Sequence, residues 1–282
     1  MAKITAALIK ELRDATGAGM MDVKKALTEA EGDVARAKEI IRAKGIQAAG
    51  AREGRKAQEG LIASTVVDDA AGQTAYAVEL NSETDFVAKT PQFVEFGDEV
   101  VADVAKASAA TAEEALKASS KAGTVNDTVE EAGALFHEHV KLGQFAKVSG
   151  PKVEIYAHRK SVELPPSIVA IIATDEAGSA VAHEVALQIS AMSPKWLSRE
   201  DVPEDIVESE RRVATEKSLA EGKPEKIVPK IVEGRLNSFF KETVLLEQQY
   251  VKDGSRTIAD LFKEVGGKAV AFSRLEVGKG EE

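Results

Sequence analysis

The first fifty residues carry apolar side chains at helical spacing, divided by glycines. The apolar residues form three groups with spacing close to that of a helix, namely Ile4, Leu8 and Leu12, then Val23 and Leu27, then Val34, Ile40 and Ile41. Gly17 and Gly19 separate a first helix from a second, and Gly32-Asp33 supplies a turn and the start of a third. Gly45 stands where the third helix should end. This pattern predicts a three-helix domain over residues 1–46.

Residues 47–60 contain little apolar material and predict a linker. Alanine, glycine, glutamine and charged residues dominate the stretch, and Arg52, Arg55 and Lys56 form a basic cluster within it. A cluster of this size is most often a solvated part of a connector. The alternative is that it binds an acidic surface.

The next segment, residues 61–145, combines two strands with several helices. The β-rich runs Leu61–Val67 and Thr74–Leu80 flank the polar stretch Asp68–Gln73, which predicts a hairpin. Thr90-Pro91 is a favourable helix start, because proline suits the first helical position and threonine the position before it. Further helices are predicted from Thr111 onward and over Val129–Leu142. These elements predict a first α/β core subdomain.

A similar order recurs in residues 146–200 and 246–282, which predict a second core subdomain. Strands are predicted at Val153–Tyr156 and Ile168–Ala173, followed by a helix that carries Val181, Val185, Ile189 and Met192. Ala269–Val277 alternates enough to close the sheet. The predicted fold class is therefore α+β, with a two-part α/β core built on antiparallel sheets.

Residues 201–245, inserted in the second half, predict a helical hairpin. Two amphipathic helices flank Gly222-Lys223-Pro224 and would pair like an antiparallel coiled coil. The apolar residues expected along their seam are Ile206, Val213, Leu219, Ile227, Ile231, Leu236 and Phe239.

The composition fits a folded protein and narrows its chemistry. Of the 282 residues, 44% are hydrophobic and 30% are charged, which is ordinary for a soluble domain. There is no cysteine, so disulfides and thiolate metal sites are excluded. No leader or membrane-spanning run is evident, so a cytoplasmic protein without a membrane partner is expected. A formal net charge of −10 argues against direct binding of nucleic acid.

Motifs for nucleotide, metal or covalent chemistry are missing from the sequence. No glycine-rich phosphate loop occurs, so the chain itself is not expected to bind a nucleotide. On the predicted helix, the two imidazoles of His137-Glu138-His139 would point in different directions, which disfavours a metal site. No nucleophile stands at an interpretable spacing from a base. We therefore expect no metal, no cofactor and no enzymatic activity.

Two short motifs supply the candidate binding residues. Met20 and Met21 open the second predicted helix, where adaptable thioethers suit a contact surface, and core filling is the alternative. Thr84-Asp85-Phe86-Val87 lies between a strand and a helix, where a rigid sheet can present an aromatic side chain to a partner. The alternative is that Phe86 packs under its own sheet.

These motifs, in their order and places, resemble those of the bacterial elongation factor Ts family. The resembling stretches are Thr16-Gly17-Ala18-Gly19-Met20-Met21, Thr84-Asp85-Phe86-Val87-Ala88-Lys89, Glu221-Gly222-Lys223-Pro224, Val232-Glu233-Gly234-Arg235 and Phe272-Ser273-Arg274-Leu275-Glu276-Val277-Gly278. The resemblance covers the whole chain. It implies an N-terminal domain like the ubiquitin-associated three-helix domains, a two-part α/β core and a helical hairpin.

The resemblance also implies a partner and a function, namely faster release of GDP from elongation factor Tu. By motif, Asp85 and Phe86 would enter the GTPase domain of that partner between two helices and disturb its magnesium site. Thr84 and Val87 would frame this wedge.

Three residues of the helical domain and one of the core are implied as further contacts. Leu12, Met20 and Met21 would press on the same GTPase domain near its nucleotide pocket. His158 resembles a core position near the contact surface. Leu164-Pro165-Pro166 follows it where some members of the family have a tight glycine turn.

Two other classes of function are the alternatives to exchange. The first is an adaptor or scaffold that docks or dimerises through the helical hairpin, and equal affinity for nucleotide-bound and empty partner would favour it. The second is an unrecognised enzyme, which a cleft with convergent carboxylates of displaced pKa would favour.

Overall fold

The N-terminal part of the chain forms the three predicted helices. The computed structural model describes residues 4–16, 18–50, 52, 54–69 and 72–280, so Gly17 lies outside the described residues. The helices are α1 (Ala6–Thr16), α2 (Met20–Glu29) and α3 (Val34–Gly50). They enclose a small apolar core of Leu12, Val23, Ala26, Leu27, Ala30 and Ala37.

Gly45 lies inside α3, so the predicted end of the helix at this residue was wrong. The helix continues to Gly50 and packs against a helix of the core, Val125–Phe136. A Cβ atom at position 45 would stand only 2.8 Å from the Cβ of Ala134. The glycine is therefore explained by the close approach of two helices, and the first residues after position 46 are helical.

The first half of the core is an antiparallel sheet with helices on one face. Its elements are β1 (Glu59–Asp69), β2 (Gly72–Ser82), α4 (Asp85–Ala88), α5 (Pro91–Lys106), α6 (Ala112–Lys117), β3 (Ser119–Ser120), β4 (Gly123–Thr124), α7 (Val125–Phe136) and β5 (Lys141–Gly150). The strands β1, β2 and β5 lie side by side in that order. The predicted hairpin is confirmed, with Ala70 and Ala71 of its turn outside the described residues.

The helix predicted over Val129–Leu142 is α7, which begins and ends earlier than expected. A capping box between Thr124 and Asp127 starts the helix, and His137, with a left-handed φ of 57°, ends it. Leu142 lies instead in β5, a strand that the sequence analysis missed. His137-Glu138-His139 therefore follows the helix, and the predicted boundary at residue 145 falls within a strand.

The second half of the core repeats the order of the first. Its elements are β6 (Lys152–His158), β7 (Ile168–Thr174), α8 (Ser179–Met192), α9 (Glu204–Ala220), α10 (Val228–Thr243), α11 (Ile258–Val265) and β8 (Ala269–Glu276), with single 3-10 turns at Arg199–Asp201 and Leu245–Glu247. The strands lie in the order β6, β7, β8 and are antiparallel. In both halves the third strand of the sheet pairs with the second strand after an intervening segment of helices, which agrees with two related halves.

The two sheets pack face to face and the helices cover their outer faces. The residues buried between the sheets are Ile62, Ala75, Ala77, Ala146, Val148, Val169, Ile171, Ala173 and Leu275. At one end of this interface the amide of Ile62 donates to the carbonyl of Pro166 at 3.0 Å. The layers thus follow the order helix, sheet, sheet, helix, and the predicted α+β class is confirmed.

The helical hairpin forms from α9 and α10, but its seam differs from the predicted one. The buried residues are Ala214, Ser218, Val228, Val232, Leu236 and Phe240. Val213, Leu219 and Ile227, which were expected in the seam, are about half exposed. On α9 the buried positions are the small residues Ala214 and Ser218 instead of Val213 and Leu219. Leu236 is buried as predicted, and Ile206 and Phe239 pack partly buried against the same cluster. Among the described residues, none of the helices has the length and apolar character that crossing a membrane requires.

Candidate functional site

The segment from Thr84 to Lys89 forms a single helical turn, α4, at the end of β2. Thr84 is extended, with φ −131° and ψ 153°, and Asp85 begins the turn. Immediately after it, the hydroxyl of Thr90 accepts a bond from the amide of Phe93 at 3.2 Å and caps α5. Since a strand precedes the turn and a capped helix follows it, both of its ends are fixed to the core.

The side chains of this turn divide into a buried and an exposed group. Ala88 is buried, and Val87 packs against the apolar core of the first half. Asp85 is exposed, and 70% of Phe86 is accessible to solvent. The ammonium nitrogen of Lys89 lies 4.4 Å from the centroid of the Phe86 ring. The alternative in which Phe86 packs under its own sheet was therefore wrong.

A carboxylate from a distant part of the chain holds the start of this turn. Glu138 Oε2 accepts bonds from the main-chain amides of Glu83 at 2.9 Å and Thr84 at 3.0 Å. Its Oε1 accepts a bond from the Thr84 hydroxyl at 2.6 Å. The sequence analysis missed Glu138, because it placed this residue on a helix and weighed only metal binding for its neighbours. No local pattern marks a contact across 54 residues of chain.

A second carboxylate makes the reciprocal connection. Glu83 Oε1 accepts a bond from the main-chain amide of His139 at 2.7 Å and lies 3.3 Å from a guanidinium nitrogen of Arg55. The His139 amide, aided by the charge of Arg55, holds the pKa of the Glu83 carboxyl below its usual range. The Nδ1 atom of His139 lies 2.7 Å from the carbonyl oxygen of Arg55, which can only accept a hydrogen bond. The linker therefore contacts the same turn.

Met20 and Met21 are presented at the start of α2. They are 58% and 64% exposed, so the alternative of core filling was wrong for both residues. Leu12 has the opposite environment, because it is only 2% exposed and lies in the core of the three helices. In the free chain its side chain supports α2 from inside and is not available to a partner.

Replacing Leu12 by alanine should therefore destabilise the three-helix domain. Truncating a buried leucine removes its packing and leaves a cavity, at a cost of about 3 kcal/mol. Amide hydrogen exchange is expected to accelerate throughout α1, α2 and the start of α3, while β1 and β2 stay protected. Unchanged protection in all three helices would contradict the buried position of Leu12.

A cleft of about 920 Å³ separates the three-helix domain from the helices of the first core half. Its charged lining residues include Lys38, Arg42 and Lys44 on one side and Glu95, Glu99 and Glu131 on the other. Arg42 bridges the two sides by donating to the carbonyl oxygen of Ala122 at 2.7 Å. The helical side also carries Asp14, Asp22 and Glu39, so its charges are mixed, and the Arg42 bond is a direct link between the two sides.

His158 lies at the end of β6, half-buried beside an aromatic partner. Its Nδ1 atom is 3.2 Å from the hydroxyl of Tyr156, and its carbonyl accepts a bond from the amide of Ser167 at 2.9 Å. The bond between Ile62 and Pro166 joins this end of the second sheet to the start of β1, which pairs with the end of β2 before Phe86. His158 and Phe86 are thus at the same end of the core.

The described part of the chain contains no group of three or more histidine, aspartate or glutamate side chains arranged to hold a metal ion. The two histidines of His137-Glu138-His139 take separate roles, since His137 ends α7 and His139 contacts Glu83 and Arg55.

Comparison with known proteins gives consistent matches along the whole chain. The sequence model of the family described as Elongation factor TS matches residues 83–279. Elongation factor Ts of Bifidobacterium animalis subsp. lactis is 78% identical over 282 residues, which cover 100% of this chain and 99% of that protein. The protein of the same name from Bifidobacterium longum subsp. infantis is 76% identical with 100% of both chains covered. That of Beutenbergia cavernae is 49% identical over 281 residues, 99% of this chain and 100% of the relative.

Proposed function

This chain belongs to the elongation factor Ts family, whose members promote nucleotide exchange on elongation factor Tu during translation elongation, and from that membership we propose that its Phe86 turn is the wedge that loosens GDP. Asp85 and Phe86 enter the GTPase domain of the partner between two helices and disturb its magnesium and phosphate contacts. Thr84 and Val87 fix the turn that carries them.

The exposure of Phe86 is the observation that carries this proposal. A phenyl ring that is 70% exposed on a turn fixed at both ends can enter a groove without any rearrangement of the core. Burying such a ring contributes about 1.5 to 3 kcal/mol. Asp85 stands beside it with an exposed carboxyl group, which would bring negative charge toward the magnesium site.

The mechanism requires no covalent chemistry, because exchange of this kind is thermodynamic linkage. The chain binds the empty partner more tightly than the GDP-bound partner, so each ligand weakens the binding of the other by the same factor. Every tenfold loss of GDP affinity needs about 1.4 kcal/mol of differential binding. Burial of Phe86 accounts for about one to two tenfold losses of GDP affinity, so other contacts must contribute to any larger effect.

We assign these further contacts to the three-helix domain and to His158. Met20 and Met21 offer adaptable apolar surface that is already exposed in the free chain. The domain is attached to the core through α3, which packs on α7. The three-helix domain and the Phe86 turn therefore contact the partner at separate points of one connected structure. The action takes place in the cytoplasm, where elongation occurs, and involves neither direct nucleic-acid binding nor a nucleotide held by this chain.

The test is the release of a fluorescent GDP analogue from purified elongation factor Tu of a Bifidobacterium, with and without this chain. Acceleration by the native chain is the expected result. No acceleration by a folded chain, together with equal affinity for empty and GDP-bound partner, would favour the adaptor function instead.

Replacing Met20 and Met21 together by alanine should weaken binding more than it slows the step that releases GDP. Losing part of two apolar contacts is expected to raise the half-saturating concentration about tenfold, which corresponds to about 1.4 kcal/mol. The maximal release rate should change little, because the Phe86 turn is intact. Titrating the variant in the release assay measures both values.

Val270→Ala is the control for the methionine variant. Val270 is also exposed, but it lies on β8 of the second sheet. An equal loss of affinity in both variants would show that general loss of apolar surface, and not the α2 contact, is responsible.

A further inference from the structure

The short helix α4 has little of its own to stabilise it. It contains four residues, too few for a helix to persist without outside contacts. Thr84 occupies the position where a side chain normally caps a helix, yet its hydroxyl accepts no bond from the α4 amides. The hydroxyl instead donates to Glu138 Oε1. The Thr84 side chain therefore connects the start of the turn to a distant segment instead of capping α4.

Glu138 supplies that external connection through both of its oxygens. Oε2 accepts from the two successive amides of Glu83 and Thr84, which fixes the direction of the backbone just before Phe86. Bonds from main-chain amides to a carboxylate are charge-assisted and stronger than neutral ones. One side chain thus orients the two peptide units that lead into the turn.

The reciprocal bonds of Glu83 extend this connection to a third segment. Glu83 binds the amide of His139 and the guanidinium of Arg55, and His139 binds the carbonyl of Arg55. We call Arg55, Glu83, Thr84, Glu138 and His139 the carboxylate clamp. It joins the linker after the three-helix domain, the start of the Phe86 turn and the segment between α7 and β5.

We propose that Glu138 is a positioning residue for nucleotide exchange, holding the Phe86 turn in the orientation in which it enters the partner. This role rests on the proposed function of Phe86. When the turn is already ordered in the free chain, binding does not have to supply the free energy that ordering it would cost. Because the three-helix domain binds separately, loss of the clamp lowers the maximal exchange rate and leaves the half-saturating concentration nearly unchanged.

The chemistry of the clamp distinguishes two substitutions at this position. Glu138→Ala removes all three acceptor contacts. Glu138→Gln keeps the shape, since the amide oxygen can accept from the amides of Glu83 and Thr84. Its NH₂ group can donate to the Thr84 hydroxyl oxygen, which also accepts hydrogen bonds. The glutamine variant is therefore expected to keep most of the exchange rate that the alanine variant loses.

Asp127→Ala is the matched structural control. It removes the capping box at the other end of α7 and weakens the same helix without touching the clamp. If Glu138 acted only through the stability of α7, Asp127→Ala and Glu138→Ala would lower the maximal exchange rate equally.

The experiment measures release of the fluorescent GDP analogue from elongation factor Tu against the concentration of full-length native chain and of each variant. Glu138→Ala should lower the maximal rate about tenfold and shift the half-saturating concentration by less than about twofold. Glu138→Gln should recover most of the rate, and Asp127→Ala should retain it. In the Phe86→Ala background, adding Glu138→Ala should have no further effect, because both changes act through the same ring.

Amide hydrogen exchange followed by NMR gives a readout that does not depend on activity. The amides of Glu83 and Thr84 should exchange faster in Glu138→Ala and stay protected in Asp127→Ala. An unchanged maximal rate in Glu138→Ala would overturn the positioning role, as would an equal loss in Asp127→Ala or in the Phe86→Ala background. If the native chain itself failed to accelerate release, the proposed function would be overturned and this role with it.

Discussion

Replacing Phe86 by alanine should lower the maximal rate of GDP release from elongation factor Tu by roughly 10- to 100-fold, which corresponds to the burial of one phenyl ring. The ring is the largest apolar group that the turn exposes, so its removal takes away most of the surface that would enter the partner. Stopped-flow release of a fluorescent GDP analogue at saturating concentrations of the chain measures the effect.

The same substitution should lower the free energy of unfolding of the free chain by no more than about 1 kcal/mol. Phe86 is largely exposed and touches the ammonium group of Lys89, a contact worth about 0.5 to 1 kcal/mol at an exposed site. Substitutions at such positions usually change the free energy of unfolding by no more than about 0.5 kcal/mol. A large loss of exchange with so small a loss of stability is the signature expected of a contact residue.

Two further variants distinguish a specific role of the Phe86 ring from a general contribution of exposed apolar surface. Phe86→Leu keeps an apolar side chain and should retain part of the rate, whereas Val251→Ala, at an exposed apolar residue elsewhere, should retain all of it. The wedge would be refuted if Phe86→Ala exchanged GDP at the native rate while removal of the three-helix domain abolished exchange.

The elements that the sequence predicted well are those determined by local signals. Thr90-Pro91 starts α5 because the threonine caps and the proline fits the first turn, and neither depends on the rest of the fold. The β1–β2 hairpin is similarly marked by two β-rich runs around a polar turn. Short-range preferences of this kind are visible in a single sequence.

The elements that the sequence did not predict depend on distant contacts. Gly45 was taken for the end of a helix, although the reason for the glycine is Ala134, almost ninety residues away. Strand β5 begins Lys141-Leu142-Gly143-Gln144, which alternates too weakly to reveal a strand, and it is defined by pairing with β2. Hydrophobic spacing contains no information about which surface another segment will cover.

The candidate site divides in the same way. Its motif residues were recognisable by resemblance, but whether Phe86, Met20 and Met21 are exposed depended on packing that only the structure describes. Leu12 was implied as a contact by the same resemblance and proved to be buried. Glu138 was not predictable, because its bonds to the Phe86 turn cross from one loop to another.

A buried carboxylate on β2 joins the two sheets at the end of the core that carries the Phe86 turn. Glu79 is only 2% exposed. Its Oε1 accepts from the side-chain amide of Asn81 at 2.6 Å and from the main-chain amide of Gly278 at 2.7 Å. Its Oε2 accepts from the main-chain amide of Gln144 at 2.9 Å and from the side-chain amide of the same residue at 2.8 Å. Each oxygen thus faces one main-chain N–H group, whose direction is fixed by the backbone.

Glu79→Gln should therefore destabilise the core, although it changes neither size nor shape. In either orientation the new NH₂ group meets a main-chain N–H, from Gly278 or from Gln144, so two donors face each other where an acceptor is required. Leaving buried donors unsatisfied in this way should reduce the free energy of unfolding by about 2 to 4 kcal/mol. Urea unfolding followed by circular dichroism measures the loss, with Glu233→Gln on the exposed face of α10 as the matched control. If the Glu79 and Glu233 variants unfolded at the same urea concentration as the native chain, the four bonds of Glu79 would not contribute to stability, and the end of the core would be held by its apolar packing and by bonds such as that between Ile62 and Pro166.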